Sequence, residues 1–360
     1  MSDNPFHRSA GAPAPIDLNP QTREDHRVLM PTGDIAPTPP PGDQVVAMDG
    51  QTMGTTWSVR LVLPTGDDEA RLRAAVEEEL AGIVAVFSHW DPRSEVSRFN
   101  TAPAGVWALS KTFWSLLDRS LDLADETNGA VDPTLGALAD LWGFGPAGRR
   151  QPPLSPIPSD EEVEAALAVS GWRSLRLNRE ARGAMQVGGM KLDFSGIAKG
   201  HAVDRVSERL TREGATSHLV EIGGELRGAG VKPDAQPWWV GVEQPDDLAA
   251  PRTVAALFDL SVATSGDALN AFEHEGRRYP HTLDGSTGRP IDNGIVSVTV
   301  LHASAMTADA WATALSVIGP YEGPPYAEAA EIAAHFVERT PRGLVEHMSP
   351  AYRAMMDEAE

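Results

Sequence analysis

The chain has no cysteine among its 360 residues, which excludes disulfides, thiolate nucleophiles, iron–sulfur clusters and the usual structural zinc sites. Its ten histidines are scattered, the closest pair being His274 and His281, and no HxH or HxxxH spacing places two on one element. No run approaches the ~18 apolar residues of a membrane span. The opening MSDNPFHRSAGAPAPIDLNP lacks both the basic and the apolar region of a signal peptide. A cytoplasmic protein is therefore expected. Positive charge is scarce as well: 30 Lys and Arg face 51 Asp and Glu, a formal charge of −21, which argues against nucleic acid or anionic lipid as partner. Because exposed charges are screened beyond roughly 10 Å, an anionic substrate remains possible where local cations or a metal hold it.

What is present reads as an ordinary globular composition, 41% hydrophobic, long enough for one large domain or two small ones. Nine of the 29 prolines fall in the first 41 residues. With little apolar content to pack, residues 1–42 are expected to form a disordered leader, and 43–360 the folded domain. DQVVAMDGQTMGTTWSVRLVL predicts two strands, after which Asp67 or Asp68 caps a helix carrying Leu72, Val76, Leu80, Ile83, Val84 and Phe87. Ser110 opens a second helix to about Glu126, and Ser159 with Glu162 forms a capping box for a third. SHLVEIGG, ELRGAG, PWWVGVE, TVAALFDLSVAT and IVSVTVL read as strands, followed by a helix from about Met306. Without regular βαβ alternation, the expected class is α+β, mostly antiparallel sheet with flanking helices. GFGPAGRRQPPLSPIPS formally matches a dinucleotide fingerprint, but no strand precedes it, Pro146 interrupts it and no helix follows directly. It reads as a surface loop.

Three stretches carry candidate chemistry. In LDFSGIAKGHAVD (192–204) a turn with two glycines flanking Lys199 leads into a helix, a geometry that lets backbone N–H groups and an ammonium approach a phosphate. The alternative is a tight strand-to-helix connection with a solvated lysine. Alternation points Asp193 and Ser195 away from Leu192 and Phe194, and a carboxylate in an apolar strand needs a partner. In ADAWATAL, Asp309 and Thr313 share a helix face, offering hard oxygen donors of the kind magnesium takes; the alternative is a surface hydrogen bond or an acid placed near the helix N-terminus for its dipole. HTLDGSTGRP holds His281 and Asp284, and histidine suits proton transfer near neutral pH; the alternative is a structural histidine with its hydrogen bonds satisfied. Trp90, between a helix and a loop, either plugs the core or stacks on a planar ligand.

QTMGTTW, SEVSRFN, NGAVDPTLGALADLWGFGP, LDFSGIAKGHAVD, LVEIGGELRGAG, VATSGDALNAF, HTLDGSTGRP and VSVTV with ADAWATAL, in this order, resemble the FAD:protein FMN transferase family, also called the ApbE family. The resemblance runs from about Gln51 to Gly319, with an echo in MSPAYRAMM. It implies an ApbE-like, T-fold-like α+β domain and a magnesium-dependent enzyme that moves FMN from FAD to a Ser or Thr of an acceptor flavoprotein, releasing AMP. It further implies that Asp193 and Lys199 border FAD, and that the backbone around Ser195 joins Asp309 and Thr313 in holding the metal. Met53, Trp90, Gly129, Ala130, Val131 and Thr282 would line the flavin or adenosine, with Trp90 stacking on the isoalloxazine. His281 would deprotonate the acceptor hydroxyl. Gly285 stands where the family usually has proline, which would loosen that loop. ETNGAVDPT is the nearest approach to an acceptor motif of the D-x-x-[ST]-G-A-[ST] kind, so self-modification is not expected. The same parts would also serve a FAD pyrophosphatase, with water as nucleophile, or a flavin-binding protein without turnover.

Overall fold

A computed structural model describes residues 26–31, 44–146, 157–266 and 271–356. At its centre lies an eight-stranded antiparallel sheet: β1 (Val45–Thr52), β2 (Thr55–Val62), β3 (His218–Ile222), β4 (Glu225–Ala229), β5 (Leu260–Gly266), β6 (Ile295–His302), β7 (Ala333–Thr340) and β8 (Gly343–Met348). Each strand pairs antiparallel with its predecessor in sequence. Helices enter as insertions. Between β2 and β3 come α1 (Glu69–Phe87), α2 (Lys111–Glu126), α3 (Gly136–Trp142) and α4 (Ala198–Arg212); α5 (Ala305–Ile318) follows β6. The α+β expectation holds.

Strand alternation gives the sheet two apolar faces. Trp57, Val59 and Leu61 of β2 point to the helices and meet Leu72 and Val76 of α1 and Val203 and Val206 of α4. Val62, Leu219, Leu226 and Leu301 point the other way, onto Trp238, Val240, Ala255 and Leu257. A three-stranded sheet (His26–Leu29, Arg252–Leu257, Trp238–Gly241) supplies that second cover. Each such side chain contributes roughly 1.5–3 kcal/mol on burial.

The caps read from sequence are the caps observed. Asp68 accepts from Ala70 N–H to open α1, Ser110 accepts from Phe113 N–H to open α2, and Ser159 and Glu162 form a capping box at Asp160–Ala168. The leader expectation needs correction at residues 26–31. His26–Leu29 pairs parallel with Arg252–Ala255, because Val28 and Leu29 are buried and the long-range partner satisfies their backbone. Of the predicted loop after Trp142, residues 147–156 lie outside the described residues. Among the described residues, no helix is long and apolar enough to cross a membrane.

Candidate active site

The glycine turn of LDFSGIAKG exists because two helices must touch. Gly196 and Gly200 are one helical turn apart, and so are Thr313 and Asp309 on α5. A Cβ built on Gly196 would lie 2.9 Å from Thr313 Oγ1, and one on Gly200 would lie 2.2 Å from Ala305 O and 2.8 Å from Asp309 Cβ. No side chain other than hydrogen fits at either position. The turn therefore seats itself on the predicted metal residues, and Gly200 N–H donates to Asp309 Oδ2 at 3.0 Å.

Asp204, at the end of the same stretch, fixes α5 in place. Its Oδ1 accepts from Ala305 N–H (3.0 Å) and Arg227 Nη1 (2.6 Å), and its Oδ2 from Met306 N–H (3.0 Å) and Ser304 Oγ (2.7 Å). The orphan donors of the helix N-terminus are thus satisfied, with the dipole facing a carboxylate. His201 belongs to the core instead. Its ring meets Phe87 edge-on at 5.8 Å, and burial pushes its pKa down to about 4, leaving it neutral.

Asp309 is only 4% exposed, which rules out the surface hydrogen-bond alternative. Burial raises its carboxyl above the usual range, with Lys199 and the Gly200 N–H acting against that rise. The solvated-lysine alternative fails too, because Lys199 Nζ donates to Glu225, a residue only 2% exposed in its side chain. Burial works against the lysine's charge, but Glu225 and Asp309 more than offset it, and its pKa is raised. Thr313 Oγ1 lies 3.2 Å from Ser265 Oγ on β5.

Leu192–Phe194 forms no strand, Lys191 alone bridging to Leu135, and a turn begins at Ser195. Its support comes from side chains. Asn100 Nδ2 donates to Leu192 O at 2.8 Å and Asn100 Oδ1 accepts from Leu192 N–H at 2.7 Å, while Asp193 N–H donates to Pro133 O at 2.8 Å. Asp193 Oδ1 accepts from Ser195 N–H (2.8 Å) and Ser195 Oγ (2.5 Å), with His89 Nδ1 at 3.8 Å. Next to His89, Trp90 is 49% exposed, so it does not plug the core.

The remaining predicted residues lie on the β1–β2 turn and in two loops that adjoin one another. Met53 and Gly54 form the two-residue turn between β1 and β2, both with positive φ, 48° and 74°, a conformation that strains a methionine by of order 1 kcal/mol. Gly129–Val131 follows α2, and Gly129 O lies 3.8 Å from where a Cβ on Gly285 would be, which brings the Thr282 loop beside it. Asp284 organises that loop: its Oδ1 accepts from Ser286 N–H and Oγ, and its carbonyl from Gly288 N–H at 2.8 Å. Gly285 thus sits in a loop with its own internal support. His281 meets Phe144 edge-on at 6.4 Å, in an aromatic group with Trp142, Phe272 and Tyr279.

Three contributors escaped sequence reading: Asn100, Asp204 and Glu225. Glu225 had a usable signal, since it is a carboxylate at the head of a predicted strand, and a carboxylate that is buried there requires a partner.

The donor set fits magnesium. Asp309 offers a carboxylate and Thr313 a hydroxyl, with Gly196 packed against the Thr313 side chain; both are hard oxygens, few enough to leave positions for backbone carbonyls, water and phosphate, as magnesium prefers. Among the described residues, no three His, Asp or Glu side chains cluster as an all-protein metal cage.

The family model described as the ApbE family matches residues 53–336. A FAD:protein FMN transferase from Vibrio cholerae serotype O1 is 36% identical over 319 residues, covering 88% of this chain and 94% of the relative. The FAD:protein FMN transferase of Escherichia coli strain K12 is 31% identical, covering 87% and 90%. The apo crystal structure of the flavinyl transferase ApbE of Pseudomonas stutzeri superposes with a TM-score of 0.81 at 37% identity, over 88% of this chain and 98% of that one. The chain belongs to the ApbE family.

Proposed function

We propose that this chain transfers FMN from FAD to a serine or threonine hydroxyl of an acceptor protein, with magnesium at Asp309 and Thr313, releasing AMP. The observation that carries the reading is the seating of the Gly196–Gly200 turn, with Lys199, on a buried carboxylate and hydroxyl in a family whose curated relatives are named FAD:protein FMN transferases.

Phosphoryl transfer needs positioning and neutralisation of developing charge more than covalent chemistry. Asp309, Thr313 and the backbone carbonyl at Ser195 hold the magnesium ion, which supplies charge neutralisation at the pyrophosphate. Lys199, kept charged by its acidic neighbours, supplies a second positive group. Asp193, anchored to the 131–133 segment through Pro133 O, borders the FAD with Gly129, Ala130, Val131, Met53 and Thr282. Trp90 offers its exposed ring to the isoalloxazine. His281 takes the proton from the acceptor hydroxyl. The hydroxyl oxygen bonds to the FMN phosphorus, the P–O bond to AMP breaks, and AMP leaves as a phosphate whose second pKa near 6 makes a strong acid unnecessary.

The acceptor is another protein. In ETNGAVDPT, Thr127 is buried and its hydroxyl donates to Leu123 O at 2.8 Å, and Thr134 is fully buried.

His281→Ala is expected to slow transfer about 10²–10⁴-fold, the usual contribution of a general base, with FAD affinity nearly unchanged. Single-turnover transfer beside a flavin fluorescence titration separates the two; affinity that collapses with the rate makes His281 a binding residue. Trp90→Ala is expected to weaken FAD binding about tenfold, matching the ~1.5 kcal/mol upper range of an aromatic stacking contact. The same titration checks it, and unchanged affinity removes Trp90 from the flavin site.

A further inference from the structure

The stem of Lys199 runs through a slot that only a glycine permits. Gly223, with φ +61°, would carry a Cβ 2.9 Å from Thr55 Cγ2 and 3.3 Å from Lys199 Cδ. At the end of the slot, Lys199 Nζ donates to Glu225 Oε1. Glu225 opens β4, its side chain is 2% exposed, and its Oε2 is buried with no hydrogen-bond partner. Gly200, the next residue along α4, packs against Asp309 and donates its N–H to that carboxylate. The ammonium therefore lies within electrostatic reach of two buried carboxylates and is bonded to one of them.

That choice matters for the cation. In an interior of low dielectric, an ammonium stays with whichever carboxylate it can reach, and a carboxylate so occupied is a poorer metal ligand. We propose that Glu225 is a positioning residue that holds Lys199 off Asp309 and so leaves the Asp309 carboxylate free for a divalent cation. The inference rests on the metal reading of Asp309 given above. Glu225 itself touches neither the cation nor the substrate. It acts as the outer partners of metal sites do, and loss of such a partner typically costs 10–100-fold in metal affinity.

The test is Mn²⁺ binding followed by electron paramagnetic resonance, on full-length protein with FAD and no acceptor. Glu225→Gln keeps the side-chain shape but removes the charge that retains Lys199, and is expected to bind Mn²⁺ roughly tenfold more weakly than wild type. The double variant Lys199→Met with Glu225→Gln removes the competing ammonium and is expected to recover affinity to within about threefold of wild type, although it lacks a charge the reaction uses. Recovery is the readout that a purely structural role for Glu225 would not give. Equal affinity in wild type and Glu225→Gln overturns the proposal, as does a double variant that binds as weakly as the single one, which would make Glu225 a distant charge acting on the metal directly. A wild-type protein that binds FAD but takes up no Mn²⁺ overturns the metal reading itself, and the inference with it.

Discussion

Asp309→Ala is expected to lower magnesium-dependent AMP release by about a thousandfold, the upper range for deleting one group that stabilises developing charge, while the protein stays folded. Two effects on stability oppose each other. The substitution removes a carboxylate that burial disfavours, and it orphans the Gly200 N–H, which donates to Asp309 at 3.0 Å, at a cost of about 1–3 kcal/mol. Neither exceeds the 5–15 kcal/mol stability of an ordinary domain. Asp309→Asn sharpens the experiment, because it retains an oxygen for Gly200 N–H and loses only the charge. Its melting curve is expected to match wild type closely, with AMP release still lost. Full activity in either variant would remove Asp309 from the metal site.

Gly200→Ala is expected to destabilise the fold by about 3 kcal/mol and to abolish AMP release. Helix propensity alone predicts the opposite sign, since alanine in a helix interior is favoured over glycine by about 1 kcal/mol. Sterics decide the matter. The new methyl would sit 2.2 Å from Ala305 O and 2.6 Å from its carbonyl carbon, and both belong to a helix start that three hydrogen bonds to Asp204 hold in place. Overpacking of this kind costs typically 1–3 kcal/mol, and the backbone cannot yield without moving Asp309. Urea unfolding gives the stability and an AMP assay the activity. A variant stabilised by about 1 kcal/mol would mean that α4 and α5 do not pack as described.

Local chemistry was the legible part of this protein. Asp68, Ser110 and Ser159 announce their helices because a cap is decided within a few residues. The two strands β1 and β2 and their alternation were visible for the same reason, while their pairing is seen in the structure. What brings Asp193, Lys199, Asp309 and Thr313 together was not, since the contact of Gly200 with Ala305 and Asp309 spans more than a hundred positions and no periodicity encodes it. The motif order pointed to these residues through resemblance, while spacing alone left each of them with an ordinary alternative. Those alternatives fell to burial: a 4% exposed Asp309 is no surface acid, and a 49% exposed Trp90 is no core plug. Strand His26–Leu29 escaped notice because four residues in a proline-rich segment form a strand only where Arg252–Ala255 is available to pair.

The most direct test incubates the purified chain with FAD, magnesium and an acceptor domain that presents a Ser or Thr in an exposed loop, following acceptor mass and free AMP together. The account predicts an acceptor mass gain equal to one FMN phosphoester, one AMP released for each, and loss of both on chelation of magnesium or in Asp309→Asn. AMP released with free FMN and no acceptor gain, across the acceptors tried, would contradict it and make the enzyme a pyrophosphatase.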